Sequence, residues 1–176
     1  MLNPGPIETL DTILGENYLA IQSTQKVYAR HIVDRPTFKL AVATEGEVVT
    51  VLVTDADGKV DATKSVGVRV GTETELNASE LAAISARFDR IEKVETVRVS
   101  SLLAIRVSET SFRKQMPDVN LKQYKIQVVR EGTSVIVILT AKDLVPGTRG
   151  ANQKCPGFEV ELKSSDLSVL RANFTR

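Results

Sequence analysis

Apolar and polar positions alternate with a period of two along Phe38-Lys-Leu-Ala-Val42, and the same alternation returns at Tyr124-Lys-Ile-Gln-Val128. In an extended chain residues two apart share a face. The spacing therefore predicts a core face of Phe38, Leu40 and Val42, matched by Tyr124, Ile126 and Val128, with Lys39, Ala41, Lys125 and Gln127 on the other side. Each run is followed by Glu-Gly (Glu45-Gly46, Glu131-Gly132) and a second β-rich run. There Val49, Val51 and Val53 match Val135, Val137 and Leu139, while Thr50, Thr54 and Thr140 lie opposite. Two β-rich runs around a tight glycine turn predict an antiparallel hairpin, here twice, over 38–54 and 124–140.

The hairpins are two copies of one segment, 86 residues apart. A gapless match extends from Pro36 to Arg90, with 17 identities in 55 positions against about one in twenty by chance. It aligns Leu76–Phe88 with Leu162–Phe174. Upstream the register changes by two residues, so that Ile7–Ile13 faces Ile91–Val97 and Leu19–Ile21 faces Leu103–Ile105. The chain reads as two tandem repeats, 1–90 and 91–176, without a Gly/Ser/Pro linker, packed as a pseudo-two-fold dimer.

Within each repeat the pattern predicts an opening strand (7–14, where a helix also fits; 94–99, whose alternation favours the strand) and a second strand (Tyr18–Gln22; Leu102–Val107). A less regular stretch (28–34; 112–118) and the hairpin follow, then a strand over Val66–Glu75 or Gly157–Glu161. A closing amphipathic helix comes last. Asn77 with Glu80 is a capping box, Ser164/Ser165 with Asp166 resembles one, and the apolar stripes are Leu81, Ile84, Phe88 and Leu167, Leu170, Phe174. The fold class expected is α+β: two antiparallel-sheet units, each ending in a helix, with helices on one sheet face.

Composition narrows the function. With 42% hydrophobic residues in 176 the chain can form a core, and one cysteine, Cys155, excludes an internal disulfide. No secretory signal or membrane-length apolar run is present, so a cytoplasmic setting is expected. The net charge of +1 divides unevenly between the repeats: 9 Lys+Arg against 13 Asp+Glu in 1–90 (−4), and 14 against 9 in 91–176 (+5). This split fits a second repeat that faces a polyanion, halves that attract on assembly, or a solvated surface alone.

Catalytic patterns are lacking. The single His31 faces Gln115 in the other repeat, and there is no Cys/His cluster, phosphate-binding glycine loop or serine-nucleophile motif. Asp55-Ala-Asp-Gly-Lys59 resembles a calcium loop only in its first positions and reads as a turn. Glu73/Glu75 and Glu159/Glu161 read as solvated strand faces, and Cys155 as a bystander. We expect no enzyme, cofactor, metal, membrane or small-molecule substrate. A binding surface is left: Lys39, Lys125, Gln127, Thr50, Thr54 and Thr140 form a cationic and hydroxyl sheet face able to contact RNA.

The opening strand (Glu95–Val99; Leu10–Leu14), the Tyr-Lys-Ile-Gln-Val strand with its hairpin, an alternating strand and a terminal helix, in that order, resemble the coat proteins of single-stranded RNA bacteriophages. The resemblance implies a fused version of the coat dimer that self-assembles into a capsid in the host cytoplasm. The sheet's inner face would bind genomic RNA, and the variable loops 55–65 and 141–154 would contact neighbouring blocks. Each repeat is shorter than a usual coat subunit, and that family dimerises from separate chains. The alternative reading is a duplicated soluble protein-binding or inhibitor module without nucleic acid.

Overall fold

The computed structural model describes residues 5–143 and 155–175. In chain order the elements are β1 (Ile7–Leu14), α1 (Gly15–Ser23), α2 (Gln25–Ile32), β2 (Lys39–Glu45), β3 (Val48–Thr54), β4 (Val66–Arg69), β5 (Thr74–Glu75), α3 (Ala78–Arg87), β6 (Lys93–Arg98), α4 (Val99–Gln115), β7 (Tyr124–Glu131), β8 (Ser134–Ala141), β9 (Phe158–Lys163) and β10 (Val169–Phe174). The protein is α+β, with two antiparallel five-stranded sheets and four α-helices among the described residues. None of these helices is long and apolar enough to cross a membrane.

The chain divides into two compact units that do not follow the repeat boundary. Unit 1 is Met1–Glu16 with Ser101–Arg176, and unit 2 is Asn17–Ser100. The first strand of each repeat lies in the sheet formed by the other. In unit 1 the order is β1-β7-β8-β9-β10, so β1 of the first repeat pairs with β7 of the second. In unit 2 the order is β5-β4-β3-β2-β6, so β6 of the second repeat pairs with β2 of the first. The exchange also levels the charge. Unit 1 holds 12 Lys+Arg against 10 Asp+Glu (+2) and unit 2 holds 11 against 12 (−1), so the −4/+5 split of the repeats disappears.

Both predicted hairpins form, Lys39 pairing with Thr54 and Lys125 with Thr140. The second strand expected at Tyr18–Gln22 and Leu102–Val107 does not: α1 and α4 occupy these stretches. The deciding pattern is longer than the apolar run itself. Leu102, Ile105 and Phe112 recur at helical spacing and are buried, as are Tyr18 and Ile21. Thr24, fully buried, marks the break between α1 and α2, where its hydroxyl reaches the Ala20 and Ile21 carbonyls. Phe38, expected in the core, is half-buried under the Arg35 guanidinium, 5.0 Å from its ring centre.

In unit 1, α4 packs on one sheet face, placing the Phe112 ring 5.4 Å from Tyr124 and 5.0 Å from Phe158. Tyr124 is wholly buried and its hydroxyl donates to the Pro156 carbonyl at 3.0 Å. Burial, and then the neighbouring Cys155, push this phenol up to about 12. The unfolded chain ionises near pH 10 while the folded one stays neutral. Stability is therefore complete below pH 10 and is lost as pH rises towards 12. Tyr124 alone should remove about 1 kcal/mol by about pH 11. Urea midpoints measured across this window should flatten in Tyr124→Phe, which keeps the ring contacts.

In unit 2 both sheet faces are covered. Contacts of α2 with β3 and β4 lie on one face. On the other, Leu81 and Ile84 of α3 pack on Ala41, Ala43 and Leu52. The predicted capping box starts α3: Asn77 accepts from the Glu80 N–H at 2.9 Å, and Glu80 accepts from the Asn77 N–H at 3.0 Å.

The second repeat does not close with a helix. Residues 164–168 form a turn, with Leu167 at φ 57°, and β10 follows. The gapless alignment had slipped across the variable loop. Val51 and Val137 are equivalent, 86 residues apart, and their sheet neighbours Val68 and Val160 are 92 apart. Leu162–Phe174 is thus not the counterpart of Leu76–Phe88. The expected apolar stripe is instead the exposed edge of a sheet, where Leu170 and Phe174 are 54% and 44% accessible.

Candidate binding surface

The six residues expected to form one repeated surface separate by unit. On the sheet of unit 2, Lys39 and Thr54 are paired, with Thr50 further along β3. Thr50 is buried, and Thr54 is fully buried with its hydroxyl 3.0 Å from the Lys39 carbonyl and 3.1 Å from that of Asp55. Both threonines lie on the side covered by α3, which leaves Lys39, half-buried, at its margin. A ligand has no access to these hydroxyls. The expected repetition of the surface fails for this reason.

On the sheet of unit 1, Lys125, Gln127 and Thr140 do share one face, opposite the side that packs on α4. The face continues across the sheet in two rows. One is Gln127, Ile138, Glu159 and Asn173; the other is Val129, Ile136, Glu161 and Arg171. Val129 is buried, while Gln127, Ile136, Ile138, Thr140, Glu159 and Glu161 are all partly exposed. Arg171 bridges Glu159 at 3.3 Å and Glu161 at 3.5 Å, and Ser134 donates to Glu161 at 2.9 Å. Lys125 and Lys163, both exposed, stand at opposite corners.

The equivalent face of unit 2 shows what such a surface accommodates. Its residues are small where α3 lies: Ala41 for Gln127, Ala43 for Val129 and Gly67 for Glu159. At Gly67 a β-carbon would come within 2.7 Å of Leu76 and 3.0 Å of Leu52. The lack of side chains there lets the start of α3 close on the sheet. In unit 1 the larger residues raise the surface, and no helix of that unit covers it among the described residues.

Alternation assigns Val135, Val137 and Leu139 of β8 to the core and only Thr140 to the opposite face, and so misses Ile136 and Ile138. The signal was present, because Ser134–Ala141 is apolar on both sides, the mark of a strand with both faces at least partly covered.

The remaining candidates are structural. The Asp55 carboxylate accepts from the Asp57 and Lys59 N–H groups, both at 2.9 Å, as the lynchpin of a turn. Glu75 pairs with Arg30 at 3.5 Å, and Glu73 lies in the turn before it with φ 49°. Cys155 is buried and donates to Gln123 at 3.0 Å. Among the described residues no cluster of His, Cys, Asp or Glu could hold a metal ion. Most of the variable loop 141–154, residues 144–154, lies outside the described residues. Comparison with protein-family models, curated proteins and solved structures finds no match for this chain.

Proposed function

We propose that the chain is a binding module without chemistry of its own, holding an amphipathic helix of a protein partner on the Ile136–Ile138 face of unit 1. The observation that carries this reading is the contrast between equivalent faces. In unit 2 the face lies under an amphipathic helix, while in unit 1 two isoleucines at the same level are partly exposed. Lys125 and Lys163 bracket the patch, so the fitting partner carries an apolar stripe with acidic flanks.

Labelled helical peptides with a leucine stripe and either acidic or basic flanks provide the test, read by fluorescence anisotropy on the full chain. The acidic-flanked peptide should bind, and Ile138→Lys should weaken it at least about tenfold, or 1.4 kcal/mol. The variant should cost no more than about 1 kcal/mol of stability, since the lysine can reach solvent. Leu52→Lys, at the equivalent but fully buried position, should cost more than about 3 kcal/mol. Equal binding of both peptides, or binding unaffected by Ile138→Lys, would remove this face. The coat-protein reading is separated in the same preparation by light scattering and the 260/280 nm absorbance ratio. Uniform closed particles containing nucleic acid would replace the module with a capsid subunit whose Lys125, Gln127 and Thr140 face RNA.

A further inference from the structure

Strand β10 is the outer edge of the unit 1 sheet, and among the described residues nothing pairs with its far side. Natural sheets blunt such edges by keeping them short, charging them or covering them. The equivalent edge of unit 2 follows that rule, since β5 is two residues long and leads into α3. β10 follows it only at Leu170, where a bulge interrupts its pairing with β9. It is six residues long and its one charge, Arg171, is drawn onto Glu159 and Glu161. Val169, Leu170 and Phe174 are 45%, 54% and 44% accessible, three of the seven exposed large hydrophobic residues among the described residues. This concentration on one strand is unlike scattered surface apolar residues.

The ladder fixes which groups point outward. The Thr175 N–H bonds the Gly157 carbonyl, and the register beyond the bulge pairs Phe174 with Phe158, Asn173 with Glu159 and Ala172 with Val160. Hydrogen-bonded and non-bonded pairs alternate in an antiparallel ladder. Asn173 and Arg171 therefore bond inward to β9, while the N–H and carbonyl of Ala172 and Phe174 face the open edge.

We infer that β10 is the site at which a second copy of this chain docks, antiparallel and two-fold about Ala172. That register joins the Ala172 N–H and carbonyl of each copy reciprocally. It sets Leu170 of each copy opposite Phe174 of the other, covering both exposed apolar side chains. Arg171 falls opposite Asn173. A dyad on Arg171 would place two like charges face to face, which is disfavoured. The strand is thus self-complementary in hydrogen bonding, apolar contact and charge. The result is a ten-stranded sheet running through two molecules, an isologous contact that closes at the dimer. The inference rests on β10 alone and stands whatever the Ile136–Ile138 face binds.

Sedimentation of the full chain over a concentration series is the test. A reversible rise from 19.2 kDa to twice that mass is expected. Ala172→Pro removes the outward N–H at the dyad while sparing the bonds to β9, a place where an edge strand tolerates proline. Leu170→Lys charges the edge without touching the backbone. Each variant should raise the dimer dissociation constant about 100-fold and leave the circular dichroism spectrum unchanged. A wild-type chain that stays monomeric at high concentration would overturn the inference. So would a dimer that survives Leu170→Lys with its affinity intact, and this second variant decides the matter should the proline disturb folding.

Discussion

Gly15→Ala should destabilise the protein by more than about 3 kcal/mol, lowering its melting temperature by roughly 6–12 °C. Gly15 follows β1 directly and begins α1. A β-carbon there would overlap the Leu121 carbonyl oxygen, lie 2.7 Å from the Leu121 carbonyl carbon and come within 3.0 Å of the Tyr124 carbonyl oxygen. All three are main-chain atoms, so no side-chain rotation relieves the clash. Leu121–Gln123 is a 3-10 turn that leads into β7, the strand on which β1 lies, and Leu121 is itself buried. Movement of that turn would displace β7 or release β1. The position is not constrained by the turn from strand to helix as such, because its counterpart 84 residues on is Val99, which is buried and donates its N–H to the Phe38 carbonyl. The difference lies in the segment before the hairpin: residues 116–123 separate α4 from β7, whereas residues 33–38 separate α2 from β2. The two-residue insertion forms part of the turn that crowds Gly15. Val99→Ala, by comparison, should cost about 1–2 kcal/mol. Urea denaturation followed by circular dichroism distinguishes the two, and a Gly15→Ala cost below about 1 kcal/mol would show that the turn yields.

That insertion is legible in the sequence as the two-residue register change between repeats, although its consequence is not. Features set by neighbouring residues are legible in the sequence. Period-two alternation located both hairpins, and Asn77 with Glu80 located the start of α3, because these signals depend only on neighbouring residues. Short apolar runs were ambiguous. Five or six residues at Tyr18 and Leu102 fit a strand as well as one turn and a half of helix, and only the recurrence out to Phe112 decides between them. The error at β10 had another origin. Leu167, Leu170 and Phe174 have helical spacing by coincidence, and identities carried through a loop of unequal length lent that spacing false support. The exchange of first strands had no local signal at all, since alternation identifies a strand without naming the sheet it joins. The candidate face depended on that information too: Thr50 and Ile136 are equivalent in sequence, yet only the tertiary structure puts the first under α3 and leaves the second partly exposed.

The exchange gives the second large effect. Cleavage between Asp89 and Glu92, at a protease site built around the exposed Asp89, Arg90 and Glu92 with the half-buried Ile91 retained, should leave the two halves bound to each other at the mass of the intact chain. Fragment 1–90 carries β2–β5 but lacks β6, which pairs with β2 at six positions from Lys39–Arg98 to Thr44–Lys93. Fragment 91–176 carries β7–β10 but lacks β1, which pairs with β7 at seven positions. Each exchanged strand buries an apolar side chain in its host sheet, Ile13 from β1 and Val97 from β6, both almost fully inaccessible. Each also carries an acid that accepts a hydrogen bond from the third residue of a helix: Asp11 from Ser101 in α4, and Glu95 from Asn17 in α1. Positions 11 and 95 are equivalent, as are 17 and 101, so the contact is made twice, once in each unit. An acid near a helix N-terminus is favourably placed against the helix dipole, which adds to the hydrogen bond. Separation of the halves must break both ladders and both contacts together and leave two sheets each without an edge strand. The nicked protein should therefore elute as one species in native buffer, with a dissociation constant tighter than about 1 nM, equivalent to more than about 12 kcal/mol. It should divide into two fragments only in denaturant. Two separate peaks in native buffer would mean that each half folds and closes its own sheet, with strand pairing different from that described above.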